Sequence, residues 1–130
     1  MFLDSTFLID FLRGEPKAIS LLTNKDSSSL YTSEINVFEL IEGAYSINWD
    51  VQKHLEKVYA LINRLNVLPF DRKCALKAGE IAGKLAREGK KIGETDCLIA
   101  GVALANGITT LVTENKLHFS RISDLDIIDY

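Results

Sequence analysis

Apolar and polar residues follow two rhythms along this chain, and the rhythms alternate. Short runs such as Met1-Phe2-Leu3, Leu30-Tyr31-Thr32 and Val67-Leu68-Pro69-Phe70 have the length and content of strands. Between them, apolar residues recur at helical spacing. Phe7, Leu8, Phe11 and Leu12 predict a helix from Ser5 to Arg13 that Gly14 stops. Pro16 opens a second helix through Ala18, Ile19, Leu21 and Leu22 to about Asn24. Ser33 is a suitable N-cap for a third, with its apolar pattern running from Asn36 or Val37 to Ala44. Val51, Leu55, Val58, Tyr59 and Ile62 lie on one face of a longer helix over Trp49–Leu65. Asp71 caps another through about Glu88, ended by Gly89. The stretch from Glu94 to Asn106 is apolar nearly all round and predicts a buried central helix, with Gly107 at its end. Thr109–Thr113 reads as a fourth strand and Asp126–Ile128 as a fifth.

Strands alternating with helices predict an α/β fold in one domain over residues 1–130, with four to five short parallel strands and helices on both faces. Sites on such sheets lie beyond the carboxyl ends of the strands, near a switch in strand order. That rule gives Asp4 and the Thr113-Glu114-Asn115 stretch a meaning, since they follow the first and fourth strands. Asp96, in the first turn of the buried helix, and Glu39, between Phe38 and Leu40, interrupt apolar stretches where an unpaired carboxylate is costly. Each acid alone also has a structural explanation. Asp4 and Asp96 suit helix N-termini, and Glu39 suits a solvent face. Ser5 and Thr6 can bond a phosphate or a carboxylate, although their position favours helix capping.

Composition narrows the chemistry. Apolar residues make up 47% and charged residues 25% of the 130, as in a folded globular domain. No apolar run is long enough to span a bilayer, and the start lacks a signal-peptide pattern, so a cytoplasmic location is expected. Cys74 and Cys97 are far apart and read as buried reduced thiols, while His54 and His118 stand alone. Neither a structural zinc site nor a serine or thiol nucleophile can be assembled from them. The chemistry falls to carboxylates. The net charge of −3 argues against bulk electrostatic coating of nucleic acid. Two local basic groups remain: Lys84, Arg87, Lys90 and Lys91 before Asp96, and Lys116, His118 and Arg121 after Asn115. They read plainly as solvated helix ends, and their proximity to the acids makes Lys84, Arg87, Lys90, Lys91, Lys116 and Arg121 candidates for holding a phosphate backbone.

Four segments, Leu3-Asp4-Ser5-Thr6, Val37-Phe38-Glu39-Leu40 with Gly43, Gly93-x-x-Asp96-x-x-Ile99-Ala100, and Thr113-x-Asn115-x-x-x-Phe119, resemble in order and spacing the motifs of PIN-domain proteins, most closely VapC-type toxin ribonucleases. The resemblance runs from end to end. It implies an endoribonuclease with Mg²⁺ or Mn²⁺ in an acidic pocket, leaving 5′-phosphate and 3′-hydroxyl ends. Asp4, Glu39 and Asp96 fall on the family's acidic positions, and Asn115 takes the place of a fourth acid. The assignment that follows has Asp4 and Asp96 holding the metal, Glu39 orienting or deprotonating water, and Asn115 completing the shell. Ser5, Thr6, Glu94, Thr113 and Glu114 are second-tier site residues. The resemblance further implies a homodimer inhibited by a small VapB-like antitoxin that lays a helix in a groove. The non-acidic Asn115 keeps open an alternative, a PIN-like module that binds RNA or protein without cutting.

Overall fold

The structure is a computed structural model describing residues 1–130. Its elements run β1 (Phe2–Leu3), α1 (Ser5–Leu12), α2 (Pro16–Leu22), β2 (Tyr31–Ser33), α3 (Glu34–Tyr45), α4 (Val51–Ile62), β3 (Asn66–Leu68), α5 (Arg72–Arg87), α6 (Glu94–Ala105), β4 (Thr110–Val112), α7 (Lys116–Phe119) and β5 (Asp126–Ile128). All five strands are parallel, in the order β3-β2-β1-β4-β5. Strand order therefore reverses at β1 and β4, which pair Phe2 with Leu111 and Leu3 with Val112.

Successive strand residues face opposite sides, and that alternation divides the core in two. Phe2 and Leu111 face a cluster with Ile81, Leu85, Ile99 and Val102 from α5 and α6, into which Phe119 of α7 also inserts. Leu3 and Val112 face a second cluster with Phe7, Leu8, Leu40, Val58 and Leu61 from α1, α3 and α4. α6 is central, as its continuous apolarity predicts, with Cys97 and the whole run Ile99–Ala103 buried. Gly101 sits where α6 meets α5, because a Cβ there would lie 2.6 Å from the Ala78 Cβ. Gly89 and Gly107 close α5 and α6 at φ +68° and +73°, values that strain other residues. Cys74 and Cys97 are free and buried.

The predicted elements occur, with differences at their ends. α4 begins only at Val51, two residues after Trp49, because Asp50 is left-handed at φ +53°. It ends at Ile62, where a turn through Asn63–Leu65 leads into β3. α7 and a 3₁₀ turn at Ser27–Ser29 were not expected, being too short to establish a period. The aromatic residues Tyr45, Trp49 and Tyr59, which their apolar character would favour for the core, are instead 61%, 69% and 50% exposed. The buried stripe of α3 is Asn36, Leu40 and Ala44, which turns Tyr45 outward, and that of α4 is Leu55, Val58 and Leu61. No helix is long and apolar enough to cross a membrane.

Candidate active site

Asp4 follows β1 directly at the switch in strand order, and the residue is 4% exposed. It occupies the N-cap position of α1, yet its side chain makes no cap hydrogen bond. Its oxygens are held from three other elements. Thr113 after β4 donates to Oδ2 at 2.7 Å, Thr6 on α1 donates to Oδ2 at 3.0 Å, and Asn36 on α3 donates to Oδ1 at 3.2 Å. Burial pushes the Asp4 carboxyl above the usual carboxylate range. The bonds from Thr113, the Ser5 backbone and Thr6 oppose that shift, and repulsion from Asp96 adds to it.

Glu39, half-buried on α3, accepts a 2.8 Å bond from Ser5 Oγ at Oε1. Burial raises its carboxyl too, the Ser5 bond opposes this, and the charges on Asp4, Asp96 and Glu42 raise it further. Glu39 thus feels Asp4 and Asp96, and Asp4 feels Asp96, three carboxylates brought near one another from the end of β1, α3 and α6. Asp96 lies in the first turn of α6, where the helix dipole favours its charge. Asn115 Nδ2 donates to Asp96 Oδ2 at 3.0 Å, and His118 Nδ1 lies 3.3 Å from the same oxygen.

Two residues absent from the sequence-based site complete this network. Asn36 is fully buried and saturated: its Oδ1 accepts from Ser33 Oγ at 2.6 Å, and its Nδ2 donates to Asp4 Oδ1 and, at 2.9 Å, to Ser5 Oγ. It is also the reciprocal partner of Ser33 in the capping box of α3, so one side chain starts the helix and aims two site residues. Its signal was a polar residue heading the apolar stripe Asn36, Leu40, Ala44. His118 carried no comparable signal, because a four-residue helix has no period to read.

The remaining candidates sort by contact. Ser5 and Thr6 are not caps, contrary to expectation: Ser5 bridges Asn36 to Glu39, and Thr6 links Asp4, Thr113 and the Glu114 backbone N–H. Thr113 also accepts from the Asn115 N–H at 2.9 Å. Glu94 and Glu114 are exposed and bond none of the acids. Lys116 is ion-paired with Asp129. Arg121 Nη1 donates to the carbonyls of Lys90, at 3.5 Å, and Lys91, at 3.0 Å, which ties the two basic segments together. Lys84 and Lys90 line a surface depression beside Glu80, Glu88 and Asp124, and Arg87 is exposed at the end of α5.

The chemistry of the donors fits a hard divalent ion. No three His, Cys, Asp or Glu side chains converge closely enough to cage an ion unaided. Mg²⁺ and Mn²⁺ suit such a set, because Mg²⁺ takes one or two carboxylates and keeps several waters and Mn²⁺ favours the same carboxylate, carbonyl and water oxygens. A cation would also offset the mutual repulsion of Asp4, Glu39 and Asp96.

Beside the site lies a groove of about 390 Å³ between α1, α3 and α4, lined by Ile9, Leu12, Leu40, Ala44 and Val58, with Glu39 at its edge.

Comparison with known proteins agrees with this architecture. The family model for the PIN domain matches residues 1–125. The tRNA(fMet)-specific endonuclease VapC of Salmonella typhimurium is 34% identical over 128 residues, 98% of this chain and 96% of that protein. Ribonuclease VapC2 of Haemophilus influenzae is 30% identical over 120 residues, 92% of this chain and 89% of that protein. The solved structure of DNA-bound VapBC from Salmonella typhimurium superposes with a TM-score of 0.90 at 34% identity, covering 98% of this chain and 96% of that one.

Proposed function

The chain belongs to the PIN domain family, among its VapC ribonucleases, and we propose that it is the toxin of a VapBC-type pair, cutting RNA at the cluster of Asp4, Glu39 and Asp96. The observation that supports the site is that Asp4 and Asp96 both raise the ionisation cost of Glu39, and Asp96 that of Asp4, beside the carboxyl ends of β1 and β4.

Asp4 and Asp96 would hold a Mg²⁺ or Mn²⁺ ion, directly or through water, with the Asn115 amide oxygen completing the shell. When bound, the ion supplies charge to polarise the scissile phosphate. Asn36, Thr6 and Thr113 fix the Asp4 carboxylate, so no reorganisation is needed at the moment of reaction. Glu39 orients the attacking water and takes its proton at Oε2, since Ser5 occupies Oε1. Burial suits it to that task by raising its proton affinity above that of an ordinary carboxylate. Lys91, close before α6 in sequence, would meet the RNA backbone, whereas Arg121 and Lys116 would serve that role only by leaving their present partners. The apolar groove ending at Glu39 suits an amphipathic antitoxin helix, which would cover the acids from one side. We place the protein in the cytoplasm, where its RNA substrate is.

Purified protein incubated with tRNA and Mn²⁺ should yield fragments with 5′-phosphate and 3′-hydroxyl ends, and chelator should stop the reaction. Asp96→Asn should slow cleavage about a hundredfold or more. Full activity in that variant, or in chelator, would refute the site, and absence of metal-dependent cleavage in the wild type would favour the non-cutting alternative.

A further inference from the structure

We propose that His118 is a nitrogen ligand of the metal, forming with Asp96 and Asn115 a three-cornered donor face that favours Mn²⁺ over Mg²⁺. The inference rests on the carboxylate-held ion proposed above. Its basis is a triangle of atoms: Asn115 Nδ2 to Asp96 Oδ2 is 3.0 Å, Asn115 Nδ2 to His118 Nδ1 is 3.1 Å, and His118 Nδ1 to Asp96 Oδ2 is 3.3 Å. Adjacent ligands of an octahedral ion with bonds of about 2.1 Å are separated by about 3.0 Å, so the spacing is that of three neighbouring coordination positions.

The hydrogen-bond logic points the same way. Asn115 Nδ2 can donate one hydrogen to Asp96 and one to His118, which leaves Nδ1 an acceptor with its lone pair facing the cluster. Turning the amide over would bring Oδ1 into the triangle, and with Nδ1 free of its proton all three corners are then lone-pair donors, an arrangement a cation satisfies. His118 is also held in place. The next residue, Phe119, is fully buried in the core, and Arg121 Nη1 clamps the following turn to the Lys90 and Lys91 carbonyls. The imidazole itself is 42% exposed, and its other nitrogen makes no bond to protein, so nothing in the core requires a histidine there. An imidazole among oxygen donors shifts preference from Mg²⁺ toward first-row transition ions.

The test is direct. Mn²⁺ bound to the purified protein should show ¹⁴N coupling from an imidazole by pulsed electron paramagnetic resonance. His118→Gln should abolish that coupling and weaken Mn²⁺ binding about tenfold, with Mg²⁺ affinity changed less than about twofold. His54→Gln should leave both as they are. Tight, Asp96-dependent Mn²⁺ binding without nitrogen coupling would overturn the role of His118 and leave the carboxylate site standing. Absence of Asp96-dependent Mn²⁺ binding would overturn both.

Discussion

Thr113 Oγ1 and Asp4 Oδ2 stand 2.7 Å apart across the β4–β1 boundary, joining residues 109 positions apart in the chain. The hydroxyl also accepts from the Asn115 N–H and lies 3.2 Å from Thr6 Oγ1, so it connects the first acid to the fourth corner. Thr113→Val keeps the shape and removes the hydroxyl. A buried carboxylate then loses a donor and a backbone N–H loses its acceptor, at a cost of about 1–3 kcal/mol. Chemical denaturation should register that loss, and cleavage should slow by more than about tenfold. Wild-type values for both would mean that Asp4 is positioned by its other partners alone.

Asp4 is a liability to the metal-free fold. Its folded-state proton affinity, like that of Glu39, is raised above the ordinary values of 3.8 and 4.5. The folded state therefore binds these protons more tightly than the unfolded one. That contribution is complete below the ordinary values and is lost as pH rises through the higher folded ones. The metal-free protein should lose melting temperature as pH climbs from about 4 toward neutrality, and Mn²⁺ should restore part of it. Asp4→Asn removes the charge while keeping a side chain that can bond Asn36 and the threonines. At pH 7 without metal it should be about 1 kcal/mol more stable than wild type, yet inactive. A variant less stable than wild type in chelator would show that the charge is not what strains the site.

The parts of this molecule that were legible before the structure are those fixed by burial. α6, apolar on every side, reads as central because a helix of that composition in a globular domain must be buried. The positions of Asp4 and Thr113 followed from parallel-sheet topology, which places sites at strand ends. The role of Asn36 is not legible in the sequence, because it depends on partners 31 and 32 residues away, and helix periodicity says nothing about those. Ser5 and Thr6 depart from expectation for the opposite reason. Local sequence offers a capping role, but the structure spends their hydroxyls on Glu39, Asp4 and Thr113. The aromatic residues Tyr45, Trp49 and Tyr59 show the same limit, since composition marks them as apolar without saying which way the helix turns them.

Two glycines on adjacent helices should respond in opposite directions to an added side chain. At Gly101 a Cβ would meet the Ala78 backbone at 2.9 Å, leaving no room between α6 and α5. Gly101→Val should cost about 1–3 kcal/mol or more, by forcing the helices apart. Gly79, on the exposed face of α5, has nothing within 4 Å, and Gly79→Ala should stabilise by roughly 0.5–1 kcal/mol through helix propensity. Denaturant midpoints of the two variants check both signs. Because α6 carries Asp96, Gly101→Val should also lower cleavage, whereas Gly79→Ala should not.

Gly43 separates the groove from the chemistry. It lies one turn beyond Glu39 on α3, lines the groove, and has open space where a side chain would project. Gly43→Trp should therefore fold normally while filling part of the volume an antitoxin helix would occupy. The expected result is at least about tenfold weaker binding of the cognate antitoxin, roughly 1.4 kcal/mol, with metal-dependent cleavage of RNA retained. Such a toxin would escape inhibition at antitoxin concentrations that silence the wild type. Unchanged antitoxin affinity, measured by calorimetry on the purified pair, would place the antitoxin elsewhere on the surface, and the acids would then have to be covered from the opposite side of Glu39.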